Sequence, residues 1–510
     1  MPSRIPGSKI FDIKTYAGAI VWLENHAHYP LAPRSPSPLT LRTMYMKSIL
    51  GLAILASGAD AFWRLPCSSP VVVERADPIV DPNAVSKHVH TVLGANAFNF
   101  TMNYEDTQTA SCSTCKAVED LSNYWVPNLY YHAQNGSFIP VRQTGGALIY
   151  YLQRFDPKDP NAAEGLIAFP KDFRMLAGNP TNRNFTNTPE QRAVSFVCLG
   201  TEGPATYNMP NKNCPGGLRA QLIMPSCWDG RNLDSPDHKS HMAYPSGLDN
   251  GVCPSSHPKR FITLFYEVNW SVDDFKNMWY GNEQPFVFSN GDPTGYGYHG
   301  DFVNGWDIPT LQRAINECNA ASGNIEECGA FTLRRDEDMN ACKVLPRVHE
   351  AVGGAALAAL PGCNAIQRGP APATAQTGCG APAAIGDPIL PYTDASATRG
   401  WAHVACAKDP QGQRRTLADY ALDRGDMTVA RCLDACGARG YKFAGVEYRS
   451  QCFCGNALSP DRLPTPGTLG DCSLPCAGDP AQLCGGAAQV SVYERCADPA
   501  RCVNYDGDYH

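Results

Sequence analysis

Twenty-two cysteines in a chain of 510 residues constrain what can fold here more than any other feature. Cysteines at this density persist as disulfides only in an oxidising compartment, so the chain reads as secreted and extracellular. Asn-x-Ser/Thr sequons beginning at Asn99, Asn135, Asn184 and Asn269 agree with glycosylation on that route. Near the start, "MKSILGLAILASGADAF" supplies a charged Lys47, an apolar run over 49–56 and a small-residue cleavage motif, Ala59-Asp60-Ala61. These features predict a signal peptide over 46–61, preceded by a gene-model extension over 1–45, with the mature chain starting near Phe62. The apolar run is too short for a stable membrane anchor, and the tail "NYDGDYH" is too polar for a lipid-anchor signal. A net charge of −7 without a basic run argues against nucleic acid as a partner.

Charged residues make up only 18% of the chain, against 45 glycines and 42 prolines, which favours turn-rich β structure over helical bundles. In "KRFITLFYEVNW" the residues Ile262, Leu264, Tyr266, Val268 and Trp270 fall on one face of a strand, with Thr263, Glu267 and Asn269 on the other. "GALIYYL", "AVSFVCLG" and "LRAQLIMP" are further short apolar runs bounded by turn residues. Leu311, Ala314, Ile315 and Cys318 follow helical spacing, with Asp307 placed to cap and Pro309 in the first turn. The expected fold class is therefore mainly β: a sandwich-like domain over 62–350 with long disulfide-stapled loops. An Ala/Gly/Pro-rich flexible linker follows over 351–398, then a small cysteine-rich α+β domain over 399–495 and a tail over 496–510.

The small domain holds Cys406, Cys432, Cys436, Cys452, Cys454, Cys472, Cys476 and Cys484, an even set that reads as disulfide staples with connectivity left open. Val429, Cys432, Leu433 and Cys436 share one helix face behind Thr428, and "FAGVEY" reads as a strand. The stretches "DMTVARCLDACGARGYKFAGVEYRSQCFCGN" and "DCSLPCAGDPAQLCGGAAQVSVYE" resemble the WSC domain of fungal cell-wall proteins. Ala430 departs from that family, which often has an acidic residue there. The resemblance implies binding to cell-wall polysaccharide, for which Tyr448 is a candidate contact. "DPIVDPNAVSKHVHTVLGANAF", "CWDGRNLDSPDHKSHMAYP" and "SNGDPTGYGYHGDFVNGWD" resemble an uncharacterised secreted fungal domain often paired with WSC, which implies context and no mechanism.

The chemistry must come from the residues themselves. His88 and His90 stand two apart, so on a strand both imidazoles point the same way and can share a divalent metal. His299 or His241 would supply the third ligand, with Asp301 as an orienting partner or base. No glutamate follows His90 at a cupin spacing, and the expected N-terminus is Phe62, not the histidine of a copper brace. For sugar chemistry, Asp234, Asp229, Asp237, Asp292, Asp301 and Asp307 lie near Trp125, Trp228, Trp306, Tyr296 and Tyr298, whose rings could stack on sugars. Catalytic roles are expected for His299, Asp301 and Asp234, and sugar stacking for Trp228, Trp306 and Tyr298. The stretch "GDPTGYGYHGDFVNGW" is expected to wall a pocket where His299 and Asp301 meet His88, His90 and His241. Two functions follow: an enzyme acting on wall glycan, or a structural or adhesive wall module. There is no GxSxG elbow or P-loop.

Overall fold

The computed structural model describes residues 61–160, 162–353, 356–378, 383–390, 392–410, 414–464, 470, 472–479, 482–498 and 502–504. The extension over 1–45 and almost all of the signal peptide over 46–61 lie outside the described residues. The first described strand, Ala61–Cys67, begins beside the expected mature start.

Two five-stranded antiparallel sheets form the body of the N-terminal region. The first runs in the order Ala61–Cys67, Gln143–Gln153, Thr263–Trp270, Leu218–Ile223, Val194–Cys198. Strand alternation sends every second residue to one side, and the predicted alternation of 262–270 is borne out: Ile262, Leu264, Tyr266, Val268 and Trp270 are all buried. Trp63 and Leu65, Ile149 and Tyr151, Ala220 and Leu222 join them in one core cluster. Glu267 on the other face is buried too, because Arg219 and Gln221 bond its carboxylate.

The second sheet runs Val72–Glu74, His90–Gly94, Asn123–Pro127, His299–Val303, Arg174–Gly178. Its two faces are both covered. Leu93, Tyr124, Val126, Met175, Ala177 and Phe302 enter the same core cluster as the first sheet. Val72, Val92, Trp125, Leu176 and Val303 face a separate cluster built with Ile79, Phe98, Phe100, Met102 and Val348. A helix over Ile308–Glu317 follows as expected, with Asp307 Oδ2 accepting the Thr310 N–H at 3.0 Å and Leu311, Ala314 and Ile315 buried.

Ten disulfides lie among the described residues and none of the cysteines is free. Cys112–Cys342 ties the start of the N-terminal region to its end, and Cys227–Cys253 closes the loop that carries "CWDGRNLDSPDHKSHMAYP". In the C-terminal region a five-stranded antiparallel sheet carries the helix Val429–Gly437, pinned by Cys432–Cys452 and Cys436–Cys454. Cys406–Cys472 and Cys476–Cys484 complete the pairing of the eight cysteines.

The segment over 351–398 departs from the expected flexible linker. Leu357 exchanges both backbone hydrogen bonds with Phe138, each 2.8 Å, and Leu360 is buried with Tyr130 and Val287. Gln367 N–H donates to Gly291 O, Ala373 N–H to Thr181 O, and Arg183 Nε to Gln367 O. Composition misleads here because small residues let a chain lie flat against a surface as readily as they let it stay loose. The described residues from 356 to 390 form a strap laid on the first domain, whereas Tyr392 and Ala395 join the core of the C-terminal region.

Candidate functional site

His90 and His299 reach each other because of the sheet register. His90 pairs with Pro127, and Asp301 pairs with Trp125 on the same intervening strand. Extending that register places His299 in one row with Pro127 and His90. Alternation then puts His90, His299 and Asp301 on one face, away from Tyr298 and Phe302. His88 lies just before the strand rather than on it, and still turns its ring to His90, with centroids 4.3 Å apart. The ring centroids of His88 and His299 are 4.9 Å apart, and those of His90 and His299 6.1 Å. His88 Nε2 lies 2.9 Å from His299 Nε2.

The remaining hydrogen bonds fix two tautomers. His90 Nδ1 is 3.0 Å from Ala76 O, and His299 Nδ1 is 2.9 Å from Gly297 O. A carbonyl only accepts, so each Nδ1 carries the proton and each Nε2 offers a lone pair. That is how metal-binding histidines are usually held. His90 Nε2 is buried without a hydrogen-bond partner. Ligand atoms of His88, His90 and His299 all lie within 4.8 Å of one another, and so do those of Asp77, His90 and Asp301. Burial pushes His90 down to about 4 and His299 down to about 3, and it holds His88 well below the usual histidine range, helped by both neighbours. All three imidazoles are neutral at pH 7, the form that ligates. Burial and the nearby Asp77 carboxylate raise Asp301 well above the usual carboxylate range, while burial takes Asp77 up to about 6.

These donors fit a metal ion: three imidazoles, two of them with an Nε2 lone pair free to ligate, two carboxyls, and buried polar atoms without partners. Asp77 was not legible as a site residue, since a "DP" pair eleven residues before His88 reads as a turn. Lys239 was missed as well. Its Nζ donates to Gly178 O at 3.2 Å and pairs with Glu190 at 2.8 Å, and its charge acts on His299 and Asp301.

Several expected site residues lie elsewhere. His241 is not a third ligand, because one ring nitrogen meets Ser235 Oγ and the other Arg174 O, each at 2.9 Å. Trp306 and Tyr298 are not sugar platforms. Both are fully buried, with Trp306 Nε1 donating to Tyr151 Oη and Tyr298 packed on Phe288 and Phe196. Trp228 is half-buried, stacked on Phe261 at 5.0 Å. Asp234 is occupied by His238 at 2.8 Å and Arg174 at 3.9 Å. Asp229, Asp237 and Asp307 accept backbone N–H groups in turns and at a helix start, and buried Asp292 does so beside Arg183. "GDPTGYGYHGDFVNGW" is thus an interior strand and its turn, with Tyr298, Phe302 and Trp306 in the core, Tyr296 half-buried against Phe185, and His299 and Asp301 on the opposite face. Asn99, Asn135 and Asn184 are exposed, whereas Asn269 is half-buried on a strand with Arg219 Nε 3.2 Å from its carbonyl.

Residues 77–306 match a domain of unknown function, DUF1996, and residues 403–486 match the WSC domain. The chain carries a DUF1996 domain followed by a WSC domain. A WSC domain-containing protein of Arthroderma benhamiae is 40% identical over 117 residues, which is 22% of this chain and 12% of that protein. A second protein of that description from the same fungus is 33% identical over 82 residues, 16% of this chain and 11% of its own length. Kremen protein 2 of Mus musculus is 45% identical over 69 residues, 13% of this chain and 14% of that protein. The chain therefore spans only a small part of the length of these relatives. The WSC domain points to carbohydrate binding, and with the disulfide set it marks an extracellular protein. Among the described residues no helix is long and apolar enough to cross a membrane.

Within the WSC domain Tyr448 is 57% exposed at the turn between the strands Phe443–Glu447 and Gln451–Gly455. Tyr448 and Arg449 both take left-handed backbone, φ 44° and 72°. Two consecutive non-glycine residues in that region cost free energy that the surrounding disulfides and pairing must offset. Cys432, Cys436 and Cys452 lie close enough to suggest a metal cluster, but all three are in disulfides.

Proposed function

We propose that this extracellular chain binds cell-wall polysaccharide through its WSC domain, and that its DUF1996 domain holds a divalent metal ion at His88, His90 and His299. The observation that carries the metal reading is the convergence of three imidazoles with their Nδ1 protons already committed to carbonyls or, at His88, with Nε2 against a second imidazole. A divalent ion at that place supplies Lewis-acid polarisation and a cross-link between strands. We also take the two five-stranded sheets as the leaves of a sandwich, since both send alternate residues into one cluster.

Action on glycan at the His/Asp cluster would require the strap to lift. Asn364 Nδ2 donates to Lys87 O at 2.8 Å, next to His88, and every member of the cluster is buried. That burial favours a second reading, in which the DUF1996 domain is a non-catalytic structural or adhesive module. Tyr448 is the proposed sugar platform, being exposed where Trp306 and Tyr298 are not. The test is sedimentation of the full chain with insoluble chitin, β-glucan and xylan. Tyr448→Ala is expected to weaken binding roughly 2–10-fold, the worth of one aromatic contact. Equal binding by the variant removes Tyr448 from the site, and no binding to any wall polymer removes the carbohydrate assignment.

A further inference from the structure

We propose that Asp301 and Asp77 complete the histidine cluster, making a three-histidine, two-carboxylate centre for a single divalent cation. This rests on the metal reading above and names what that reading leaves open: the remaining ligands and the charge of the ion.

Asp301 follows His299 by two residues on one strand, so it projects from the same face. It is 1% exposed, and its Oδ2 is buried without a hydrogen-bond partner. A carboxylate oxygen in that setting carries a large desolvation cost unless a cation or donor meets it. Asp77 is held rigidly from the other side, its Oδ1 accepting the N–H groups of Ile79 and Val80 at 3.0 Å each. The ligand atoms of Asp77, Asp301 and His90 fall within 4.8 Å of one another, and His90 is shared with the histidine triad. The two triads thus meet at His90, which belongs to both.

Charge selects the ion. The basic side chains nearby are already matched: Lys239 to Glu190 at 2.8 Å, Arg75 to Glu350, and Arg183 to Asp292 at 3.6 Å. With both carboxyls ionised, three neutral imidazoles and two carboxylates carry two negative charges in a buried space, which a divalent cation cancels. Two unneutralised carboxylates side by side would repel in a medium of low polarity. Five mixed nitrogen and oxygen donors also exceed the four of a closed zinc site, so the geometry suits a five- or six-coordinate ion such as Mn(II) or Fe(II).

The test uses the full chain from a secretory host, stripped by a chelator and titrated with Mn(II), with free Mn(II) read by electron paramagnetic resonance. Wild type is expected to take up Mn(II) stoichiometrically, and Asp301→Asn and Asp77→Asn each to weaken binding at least about 10-fold. Asn variants that bind as tightly as wild type would overturn the carboxylate ligands and leave the histidine site standing. A folded wild type that takes up neither Mn(II), Co(II) nor Zn(II) would overturn the metal reading and this inference with it. If an Asn variant does not fold, the visible spectrum of Co(II)-loaded wild type decides. Weak bands of a five- or six-coordinate ion support the inference, and the intense bands of a four-coordinate ion overturn it.

Discussion

His403 of the WSC domain shows what one buried side chain does to the pH response. Its ring stacks on Tyr392 with centroids 4.1 Å apart and meets Tyr493 edge-on at 5.3 Å. Neither ring nitrogen has a hydrogen-bond partner, and burial pushes the imidazole down to about 3. The unfolded chain takes up a proton near the ordinary value of 6.5, whereas the folded chain refuses it until about pH 3. Stability from this residue is therefore full above pH 6.5 and falls as pH drops from 6.5 towards 3. Between pH 7 and 4.5 the loss is about 2–3 kcal/mol. Urea unfolding at the two pH values should show that loss in wild type and a smaller one in His403→Phe; equal losses would acquit His403. At this scale the sequence was half legible. The pair His88/His90 and His299 stood out by spacing and by flanking glycines, but alternation cannot say which face of a strand meets water. Trp306 and Tyr298 consequently looked like sugar contacts and are core.

At the scale of elements, the strand Arg174–Gly178 positions His299. Gly178 pairs with His299, has φ +84°, and a Cβ there would lie 2.5 Å from Tyr298 O and 2.8 Å from His299 Cα. Gly178→Ala is expected to cost at least about 1–3 kcal/mol through backbone strain, and to lower bound metal by displacing His299. Thermal unfolding and metal content measured on one sample check both; a lowered melting temperature with metal retained would show that His299 does not depend on this strand. The elements found from sequence were those with apolar alternation, a short apolar run between turn residues or helical spacing, such as Thr263–Trp270, Leu218–Ile223 and Ile308–Glu317. His299–Val303 escaped because it is buried on both faces and carries His and Asp where a strand usually carries aliphatic residues. Without a polarity alternation it gives no strand signal, and the stretch reads only as a pocket wall.

At the scale of the molecule, the strap is the feature that composition concealed. Gly362 has φ +78°, and a Cβ there would lie 2.0 Å from Lys87 O, beside His88. Gly362→Ala should lift this crossing and speed metal loss to an external chelator several-fold, with disulfides and secondary structure intact. An unchanged release rate would mean that the strap does not guard the cluster. The eight cysteines of the WSC domain were legible as a closed set, yet their pairing depends on contacts between a helix and a sheet that spacing does not encode. The most direct test of the account as a whole is the metal content of the intact secreted chain and of a His88→Ala/His90→Ala variant, quantified by mass spectrometry. Stoichiometric divalent metal is expected in wild type, and its loss from a variant that still folds. Metal-free wild type after growth with ample metals, or a variant that keeps its metal, would contradict it.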